Sequence, residues 1–344
     1  MTTARVLIAL GGNAMTSPEG RATPEDQIAA IARAAEPIAD IVATGAEVVL
    51  THGNGPQVGN LLVKNELAAS VVPPVPLDWC GAQTQGTIGA MLLNAVQRSL
   101  AARAVARPVA ALVTRTRVDP TDPHFDKPSK PIGRYLPEAE ARVMIEHGQV
   151  WEDRGEKGWR RVVASPEPVE ILDAPAVSAL LGAGFVVVAA GGGGIPVVRD
   201  EDGTVRGVEA VIDKDLSAAL LARAIDAGVL VIATDVAGVA LNFGTDRART
   251  LGAVSVAELR EHAAQGHFAS GSMGPKVDAA CRFVEAGGSA AVITSLDDIA
   301  EAAAGRAGTV VTADAGATAD AGALADAGTA APADTGAADA EKER

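Results

Sequence analysis

The chain has 344 residues, 48% of them hydrophobic but only 3% aromatic, so it can bury a large aliphatic core in one domain or two lobes. Its net charge of −14 and pI near 4.8 argue against nucleic acid or an anionic membrane as the main partner. An acidic protein can still bind an anion where positive charge is concentrated, so the positions of single lysines are more informative than the total charge.

The two cysteines, Cys80 and Cys281, lie far apart and without CxxC spacing. This spacing predicts free thiols in a reducing compartment and argues against a disulfide framework or a zinc site. The apolar run at residues 6–10 is too short for a secretion signal, and no run approaches the ~20 residues of a membrane span. We therefore expect a cytoplasmic protein with no membrane partner.

Short apolar runs alternate with helical patterns in the first part of the chain. Thr23, Pro24 and Glu25 supply a hydroxyl cap, a proline at the first helical position and an acid in the first turn, which predicts a helix start. Such alternation favours a mainly parallel sheet covered by helices on both faces. The predicted strands are 6–10, 47–51 and 108–114, and the predicted helices are 24–43, 56–69 and 82–103.

The alternation breaks between about residues 115 and 170. This stretch holds seven prolines together with Trp151, Trp159 and Tyr135, the only tyrosine. Linkers rarely carry tryptophan and tyrosine, so we interpret the stretch as an inserted, protruding subdomain with its own small core.

Alternation resumes at residue 185 and continues to residue 311. The predicted strands are 185–190, 229–233, 290–294 and 309–311, and the predicted helices are 216–227, 255–265 and 276–286, with a short helix between the last two strands. From residue 313 to residue 344 the sequence is low in complexity and has no apolar period, which predicts a disordered Ala/Gly/Asp-rich tail.

Glycine-rich loops follow three of the predicted strands, at residues 11–12, 53–55 and 191–194. In a parallel sheet the ligand crevice lies outside the carboxyl ends of the strands, and glycine there lets backbone N–H groups approach a phosphate. One such loop could be an ordinary turn, but three together favour an anion site. Neither the P-loop pattern nor the dinucleotide fingerprint is present, so those two nucleotide-binding folds are not supported.

Lysines occupy notable places in this lysine-poor chain. Lys214 opens an apolar helix, where it is unfavourable against the positive end of the helix dipole unless Asp213 and Asp215 offset it. Lys276 follows a glycine-rich loop before another predicted helix, and Lys130 lies in the Pro-rich insertion. Transfer of a phosphoryl group depends on positioning and on charge stabilisation by such groups.

Six motifs, in order along about residues 5–311, resemble those of the carbamate kinases of the amino acid kinase superfamily. They are ALGGNA (9–14), THGNGPQVG (51–59), KPIG (130–133), GGGGIP (191–196), VIDKD (211–215) and GSMGPK (271–276). The resemblance implies an α/β fold, a three-layer αβα sandwich with a mainly parallel central sheet and a protruding subdomain, and a homodimer. It also implies reversible phosphoryl transfer between ATP and carbamate with Mg²⁺, making ATP in arginine catabolism.

The resemblance also implies which parts of the chain bind each substrate and which residues take part in the reaction. One kinase domain would cover residues 1–312, with an acceptor lobe at about 1–205 and a nucleotide lobe at about 206–312. Lys130 and Lys214 would contact the transferred phosphoryl group, Lys276 would neutralise the nucleotide phosphates, and Asp215 would hold the lysines. Carbamate or carbamoyl phosphate would be held by Gly11, Gly12, Asn13, Gly53, Asn54, Gly55, Gly191 and Gly192. ATP or ADP would be bound by Lys214, Asp235, Met273, Gly274 and Lys276, and no protein metal ligand is assigned.

Two alternatives remain at this stage. The chain could be another amino acid kinase, such as an acetylglutamate or uridylate kinase, although the KPIG motif favours carbamate. It could also be a regulatory protein that binds a nucleotide without turnover, although the retained lysines and Asp215 argue against this. We interpret His52 as structural, because it follows a buried strand and has no partner pattern.

Overall fold

The structure is a computed structural model, and it describes residues 4–12, 15–16, 23–68, 71–146, 148–268 and 273–314. In this part of the chain the helices are α1 (Pro24–Ala43), α2 (Gly55–Ala68), α3 (Leu77–Ala102), α4 (Glu138–Glu146), α5 (Ala174–Gly182), α6 (Lys214–Ala224), α7 (Val256–Ala264), α8 (Met273–Glu285) and α9 (Ile299–Ala303). The strands are β1 (Arg5–Leu10), β2 (Glu47–His52), β3 (Val109–Ala111), β4 (Arg115–Val118), β5 (Lys130–Leu136), β6 (Trp151–Asp153), β7 (Trp159–Val163), β8 (Pro168–Ile171), β9 (Val186–Val188), β10 (Ile195–Arg199), β11 (Val205–Gly207), β12 (Val229–Thr234), β13 (Ala240–Leu241), β14 (Arg249–Thr250), β15 (Ala253–Ser255), β16 (Ala290–Ser295) and β17 (Thr309–Thr312).

The central sheet has eight strands among the described residues, in the order β15-β17-β16-β12-β1-β2-β9-β3. All neighbouring pairs are parallel except β16 and β17, which are antiparallel. The strand β17 lies between β15 and β16, so the last strand of the described chain fills an interior position of the sheet.

Alternate residues of β1 face two helical layers, as the two-residue period of a strand requires. Ile8 and its neighbours at even positions pack in one core with α1, α3 and α9, and Leu7 packs in a second core with α5, α6, α7 and α8. The two cores on opposite faces of a mainly parallel sheet confirm the predicted three-layer αβα fold. Among the described residues, Phe283 is the one aromatic side chain in the twelve largest that are fully buried, and the other eleven are Leu, Ile or Met, as expected of an aromatic-poor protein.

The predicted start of the first helix is confirmed. Thr23 is the N-cap of α1, and its Oγ1 accepts a hydrogen bond of 3.2 Å from the N–H of Asp26, while Pro24 occupies the first turn. The helix ends at Ala43, and Gly45 follows with φ of +95°, a conformation that glycine adopts without strain.

Residues of the predicted insertion contribute β4 and β8 to one smaller sheet, together with the later strands β10 and β11, and form a second smaller sheet by themselves. A four-stranded sheet has the order β11-β10-β4-β8, and a three-stranded sheet has the order β5-β7-β6. The three-stranded sheet and α4 enclose a small core of Leu136, Ala141 and Trp151, against which Met144 and Trp159 pack. We use the name protruding subdomain for residues 130–163, the part of the predicted insertion at about 115–170 that the three-stranded sheet and α4 occupy. The division into two lobes near residue 205 remains a prediction.

Several predicted boundaries are wrong; for example, α6 spans Lys214–Ala224 where residues 216–227 were predicted, and three other differences follow. The helix α3 begins at Leu77, five residues earlier than predicted, because Leu77 and Cys80 are buried in the core and the preceding Pro76 forms its N-cap. The strand β3 ends at Ala111, since the chain then turns out of the central sheet towards β4. The helix α8 begins at Met273, three residues earlier than predicted, so Lys276 lies within its first turn and is not its first residue.

The remaining predictions concern the two cysteines, membrane-spanning helices and the C-terminal tail. Cys80 and Cys281 are both buried and free. No helix within the described ranges is long and apolar enough to cross a membrane. Asn13, Gly271, Ser272 and residues 315–344, most of the predicted tail, lie outside the described residues.

Candidate active site

The first two glycine loops follow adjacent strands and touch each other. The N–H of Gly11 donates to Ala233 O at 2.9 Å, and the N–H of Gly53 donates to Leu10 O at 2.9 Å, so both loops extend the sheet pairing by one residue. A Cβ atom on Gly53 would lie 2.7 Å from Gly12 N. Real Cβ atoms do not approach a backbone atom so closely, and this contact therefore requires glycine at position 53.

The third glycine turn packs against the second loop. Gly192, Gly193 and Gly194 all have positive φ, at +67°, +89° and +89°, which is the left-handed conformation that side chains disfavour. A Cβ atom on Gly192 would overlap the amide of Asn54. The turn joins β9 of the central sheet to β10 of the four-stranded sheet, so it stands where the two sheets meet.

Buried polar side chains of α3 form hydrogen bonds with the second and third glycine loops. Gln85 donates through Nε2 to Gly191 O at 2.9 Å and accepts through Oε1 from the N–H of Thr114 at 2.8 Å. Thr84 accepts through Oγ1 from Asn54 Nδ2 at 2.9 Å. These bonds satisfy the buried backbone groups of the turn and fix its position relative to the second loop.

His52 lies between the second and third loops and is 1% exposed. Its Nδ1 lies 2.8 Å from Gly53 O, so Nδ1 carries the proton and donates to that carbonyl. Burial, with a smaller contribution from the charge of Lys214, lowers the pKa of His52 to about 4. The imidazole is therefore neutral at pH 7, as suits the structural role that we predicted.

Two lysines from different helices converge on one buried carboxylate. Lys214, the first residue of α6, and Lys276, in α8, both pair with Asp215, whose side chain is 5% exposed; the distance from Lys276 Nζ to Asp215 Oδ2 is 3.3 Å. Burial acts to raise the pKa of Asp215, but the charges and hydrogen bonds of the two lysines outweigh it, and the pKa is lowered. The carboxylate thus stays ionised and holds both ammonium groups at one place.

Lys130 reaches the same region from the protruding subdomain. Its Nζ lies 3.5 Å from Asp213 Oδ2. Asp213 is also the N-cap of α6, since its Oδ1 accepts from the N–H groups of Asp215 and Leu216 at 2.9 and 3.4 Å. The capping aspartate therefore offsets the positive end of the helix at the point where Lys214 begins it.

A cleft of about 1860 Å³ runs across these features. Nine of the predicted site residues line it: Gly11, Gly12, Gly53, Asn54, Gly55, Lys130, Gly192, Lys214 and Lys276. Gly191 and Asp215 are buried next to lining residues and support them. The structure thus brings together the predicted lysines and most of the residues predicted to hold carbamate, which we call the cradle.

The residues predicted for the nucleotide base side are placed differently. Asp235 follows β12, is exposed, and accepts a hydrogen bond from Thr234 Oγ1 at 3.0 Å. Met273 packs against the core on the α6 and α8 face of the sheet, and Gly274 lies in the first turn of α8. None of the three is part of the described wall of the cleft, so their nucleotide contacts stay predictions.

Several further lining residues were not assigned to the site by sequence analysis, although Gln57 lies within the motif at residues 51–59. Arg134, Arg160 and Lys64 add positive charge to the cleft wall, and Gln27 and Gln57 add amides. The guanidinium of Arg160 stacks on the ring of Tyr135 at 4.9 Å, and its hydrogen bond to the phenol lowers the pKa of Tyr135. The cleft is therefore strongly positive within a protein of net charge −14.

Among the residues in the described ranges, no group of three His, Cys, Asp or Glu side chains could hold a metal ion. The two carboxylates nearest the lysines, Asp213 and Asp215, are already engaged with ammonium groups. Such a donor set suits an Mg²⁺ ion that arrives on phosphate oxygens and keeps several waters, as Mg²⁺ usually does.

The fold and this positive cleft define an enzyme that handles phosphoryl groups, and the chain belongs to the amino acid kinase family, whose model matches residues 4–295. Within that family it is a member of the carbamate kinases. The carbamate kinase of Thermococcus kodakarensis is 49% identical over 312 residues, which are 89% of this chain and 98% of that protein. The carbamate kinase of Pyrococcus horikoshii is 44% identical over 311 residues, 90% and 99% of the two chains.

A solved structure agrees with these relatives. The carbamate kinase of Giardia lamblia bound to AMP-PNP superposes with a TM-score of 0.86 at 39% identity, over 91% of this chain and 99% of that chain. The resemblance found in the sequence motifs is thereby confirmed.

Proposed function

We propose that the protein transfers a phosphoryl group reversibly between ATP and carbamate, giving ADP and carbamoyl phosphate. The observation that carries the proposal is the convergence of Lys214 and Lys276 on buried Asp215, with Lys130 beside them on Asp213. Three ammonium groups held by carboxylates beside the glycine loops suit a phosphoryl group whose charge is spread over several oxygens.

In the proposed reaction an oxygen of carbamate attacks the γ-phosphorus of ATP in line with the departing ADP. The new bond joins that oxygen to phosphorus, and the bond between the γ-phosphorus and the bridging oxygen breaks. Lys130 and Lys214 stabilise the phosphoryl oxygens in flight, and Lys276 neutralises charge that develops on the nucleotide phosphates. The loops at Gly12 and Gly53 hold the acceptor at the required distance.

The proposed chemistry requires no strong general base, because the attacking oxygen of carbamate is already ionised at neutral pH. His52 fits this scheme, since it is neutral and its one proton is engaged with Gly53 O. Mg²⁺ would enter with the nucleotide and supply further charge stabilisation on the phosphates. Asp213 is the lining carboxylate that could reach the hydration shell of such an ion.

The proposal extends to the setting of the reaction. We infer a cytoplasmic homodimer that makes ATP from carbamoyl phosphate during arginine catabolism, and the support for pathway and compartment is the family resemblance alone. For the dimer there is one structural indication. Leu67, Val71, Val72 and Trp79 are more than half exposed, and exposed apolar side chains close together in a chain commonly mark a partner surface.

The test is formation of ATP from ADP and carbamoyl phosphate, measured with a coupled assay on the wild-type protein and on Lys214→Ala. We expect the wild type to form ATP and the variant to lose about 10²–10³ in kcat, the effect of removing one preorganised donor. Lys157→Ala is the matched control, because Lys157 is exposed in a turn of the protruding subdomain and should leave kcat unchanged.

Two outcomes would contradict the proposal. A near-normal kcat in a folded Lys214→Ala variant would show that Lys214 does not contribute to phosphoryl transfer. A wild-type protein that binds ADP in calorimetry but forms no ATP from carbamoyl phosphate would be a nucleotide sensor and not a kinase.

A further inference from the structure

Gln57 carries a buried polar atom that the proposed mechanism leaves unused. The residue lies in the first turn of α2, directly after the second glycine loop, and is 9% exposed. Its Nε2 donates to Gln27 Oε1 of α1 at 2.9 Å. Its Oε1 is buried and accepts no hydrogen bond from any residue that the structure describes. A buried acceptor without a donor lowers the stability of a protein by about 1–3 kcal/mol. Such an atom therefore needs an explanation, and a donor supplied by a bound ligand is one.

The chemistry of the cleft wall shows which donor is needed. Near the glycine loops, Lys130, Lys214 and Lys276 line the cleft with ammonium groups, and the lining carboxylate of Asp213 is already engaged with Lys130 and with the start of α6. The ammonium groups are hydrogen-bond donors, and they suit the oxygens of a carboxylate and of a phosphoryl group. They cannot serve an amino group, which needs an acceptor. Carbamate and carbamoyl phosphate each carry one amino group with two N–H donors.

We propose that Gln57 Oε1 accepts a hydrogen bond from the amino group of carbamate or carbamoyl phosphate, and so selects these substrates over acids with a methyl group in that place. Gln57 and Gln27 both line the cleft that holds the lysines. The terminal torsion of glutamine is soft, so the amide can turn its oxygen towards the cleft while Nε2 stays close to Gln27. This inference rests on the proposed function.

Asn60 and Gln83 of this wall are exposed, and Asn54 of the second glycine loop is the natural competitor for the role. Its Nδ2 donates to Thr84 Oγ1, and the residue is half-buried at the cleft surface. Water can therefore reach Asn54 in the open cleft, whereas the Oε1 atom of Gln57 is buried and has no partner. The missing donor thus favours Gln57.

The test compares two phosphoryl donors that differ in one group. Carbamoyl phosphate carries an amino group where acetyl phosphate carries a methyl group, and with ADP either would yield ATP in the same coupled assay. The quantity measured is the ratio of kcat/KM for carbamoyl phosphate to that for acetyl phosphate. In Gln57→Met, which keeps the length of the side chain and removes the acceptor, we expect this ratio to fall about tenfold, the factor for one neutral hydrogen bond.

Two matched variants test whether the effect belongs to the Gln57 oxygen. Gln27→Met removes the partner of Gln57 Nε2 but leaves Oε1 in place, and Asn54→Leu removes the competing amide. We expect a smaller change of the ratio in both. An equal change in either variant would overturn the proposal, as would an equal loss with both phosphoryl donors in Gln57→Met.

The folding of each variant is checked by thermal unfolding before kinetics. If Gln57→Met does not fold, Gln57→Asn replaces it, because it withdraws the acceptor by one methylene and keeps an amide; an unchanged ratio in that variant would overturn the proposal. Failure of the wild type to use carbamoyl phosphate would instead overturn the proposed function, so the two failures are distinguishable.

Discussion

Lys130 of the protruding subdomain and Asp213 at the start of α6 meet across the cleft, with 3.5 Å between Nζ and Oδ2. The other oxygen of Asp213 caps α6 by accepting the N–H of Asp215 at 2.9 Å. One carboxylate therefore connects the subdomain to the helix that carries Lys214.

The two tasks of Asp213 can be separated by substitution. Asp213→Asn keeps a good helix cap, so we expect the free energy of unfolding to change by less than about 0.5 kcal/mol, whereas Asp213→Ala should cost about 1 kcal/mol. Both variants should lower kcat/KM for carbamoyl phosphate, because Lys130 loses its charged partner. Urea unfolding and steady-state kinetics measure the two effects, and wild-type kinetics in Asp213→Asn would show that the pair has no role in turnover.

Asp215→Asn should both destabilise the protein and inactivate it. The substitution leaves Lys214 and Lys276 facing each other without the buried carboxylate, and breaking such a pair costs about 3 kcal/mol. The matched control is Asp297→Asn, since Asp297 is 74% exposed and pairs only at the surface with Arg33. Its free energy of unfolding should change by less than about 1 kcal/mol. Equal melting temperatures for the two variants would refute the structural role of Asp215.

Gly53→Ala should impair turnover through the backbone. The added Cβ would lie 2.7 Å from Gly12 N and 2.9 Å from Gly12 Cα, so the two loops must separate. A displacement of about 1 Å in a positioning group can lower the rate about 10²-fold, and we expect a loss of that order in kcat/KM. Gly182→Ala, in the last turn of α5 with open space around it, is the control and should leave kinetics unchanged. A Gly53→Ala enzyme as active as this control would contradict the prediction.

His52 should make stability depend on pH between about 4 and 6.5. Its pKa is lowered from 6.5 to about 4 in the folded protein, so in this range the unfolded chain binds a proton that the folded protein does not. The free energy of unfolding is therefore unaffected by titration of His52 above about pH 6.5. It decreases as the pH falls towards 4, by up to about 1.4 kcal/mol per pH unit.

The matched variant for His52 is His52→Asn, whose amide can donate to Gly53 O without titrating. Urea unfolding of both proteins at several pH values isolates the contribution of His52, because the other groups are common to the two. The difference between their free energies of unfolding should shrink or reverse as the pH falls. Parallel curves would show that His52 is not buried as a neutral group.

Features with a local cause could be predicted from the sequence. The cap at Thr23 depends on a hydroxyl followed by Pro24 and two acids, and the structure shows that bond. The capping role of Asp213 follows from the same rule. The buried strands were visible because both faces of a parallel strand are covered, so their residues form continuous apolar runs.

Features that depend on distant parts of the chain could not be predicted. Nothing near Arg160 indicates that β7 will bring it to the cleft beside β5, and nothing near Gln57 indicates that Gln27 will occupy its Nε2. The sequence predicts a later start for α8 than the structure shows, because Gly274 and Pro275 are typical of loops, although proline is tolerated in a first helical turn. Tertiary packing decided these cases.

The interior position of β17 has a consequence for synthesis on the ribosome. The strands β15 and β16 both pair with β17, so this pairing can form only after residues 309–312 have emerged. The strand β1 is synthesised first, and one of its edges stays unpaired until β12 has been synthesised. Unpaired edges of apolar strands promote aggregation. The growing chain therefore carries open sheet edges until residues 309–312 have been translated, so the risk of aggregation lasts through most of its synthesis.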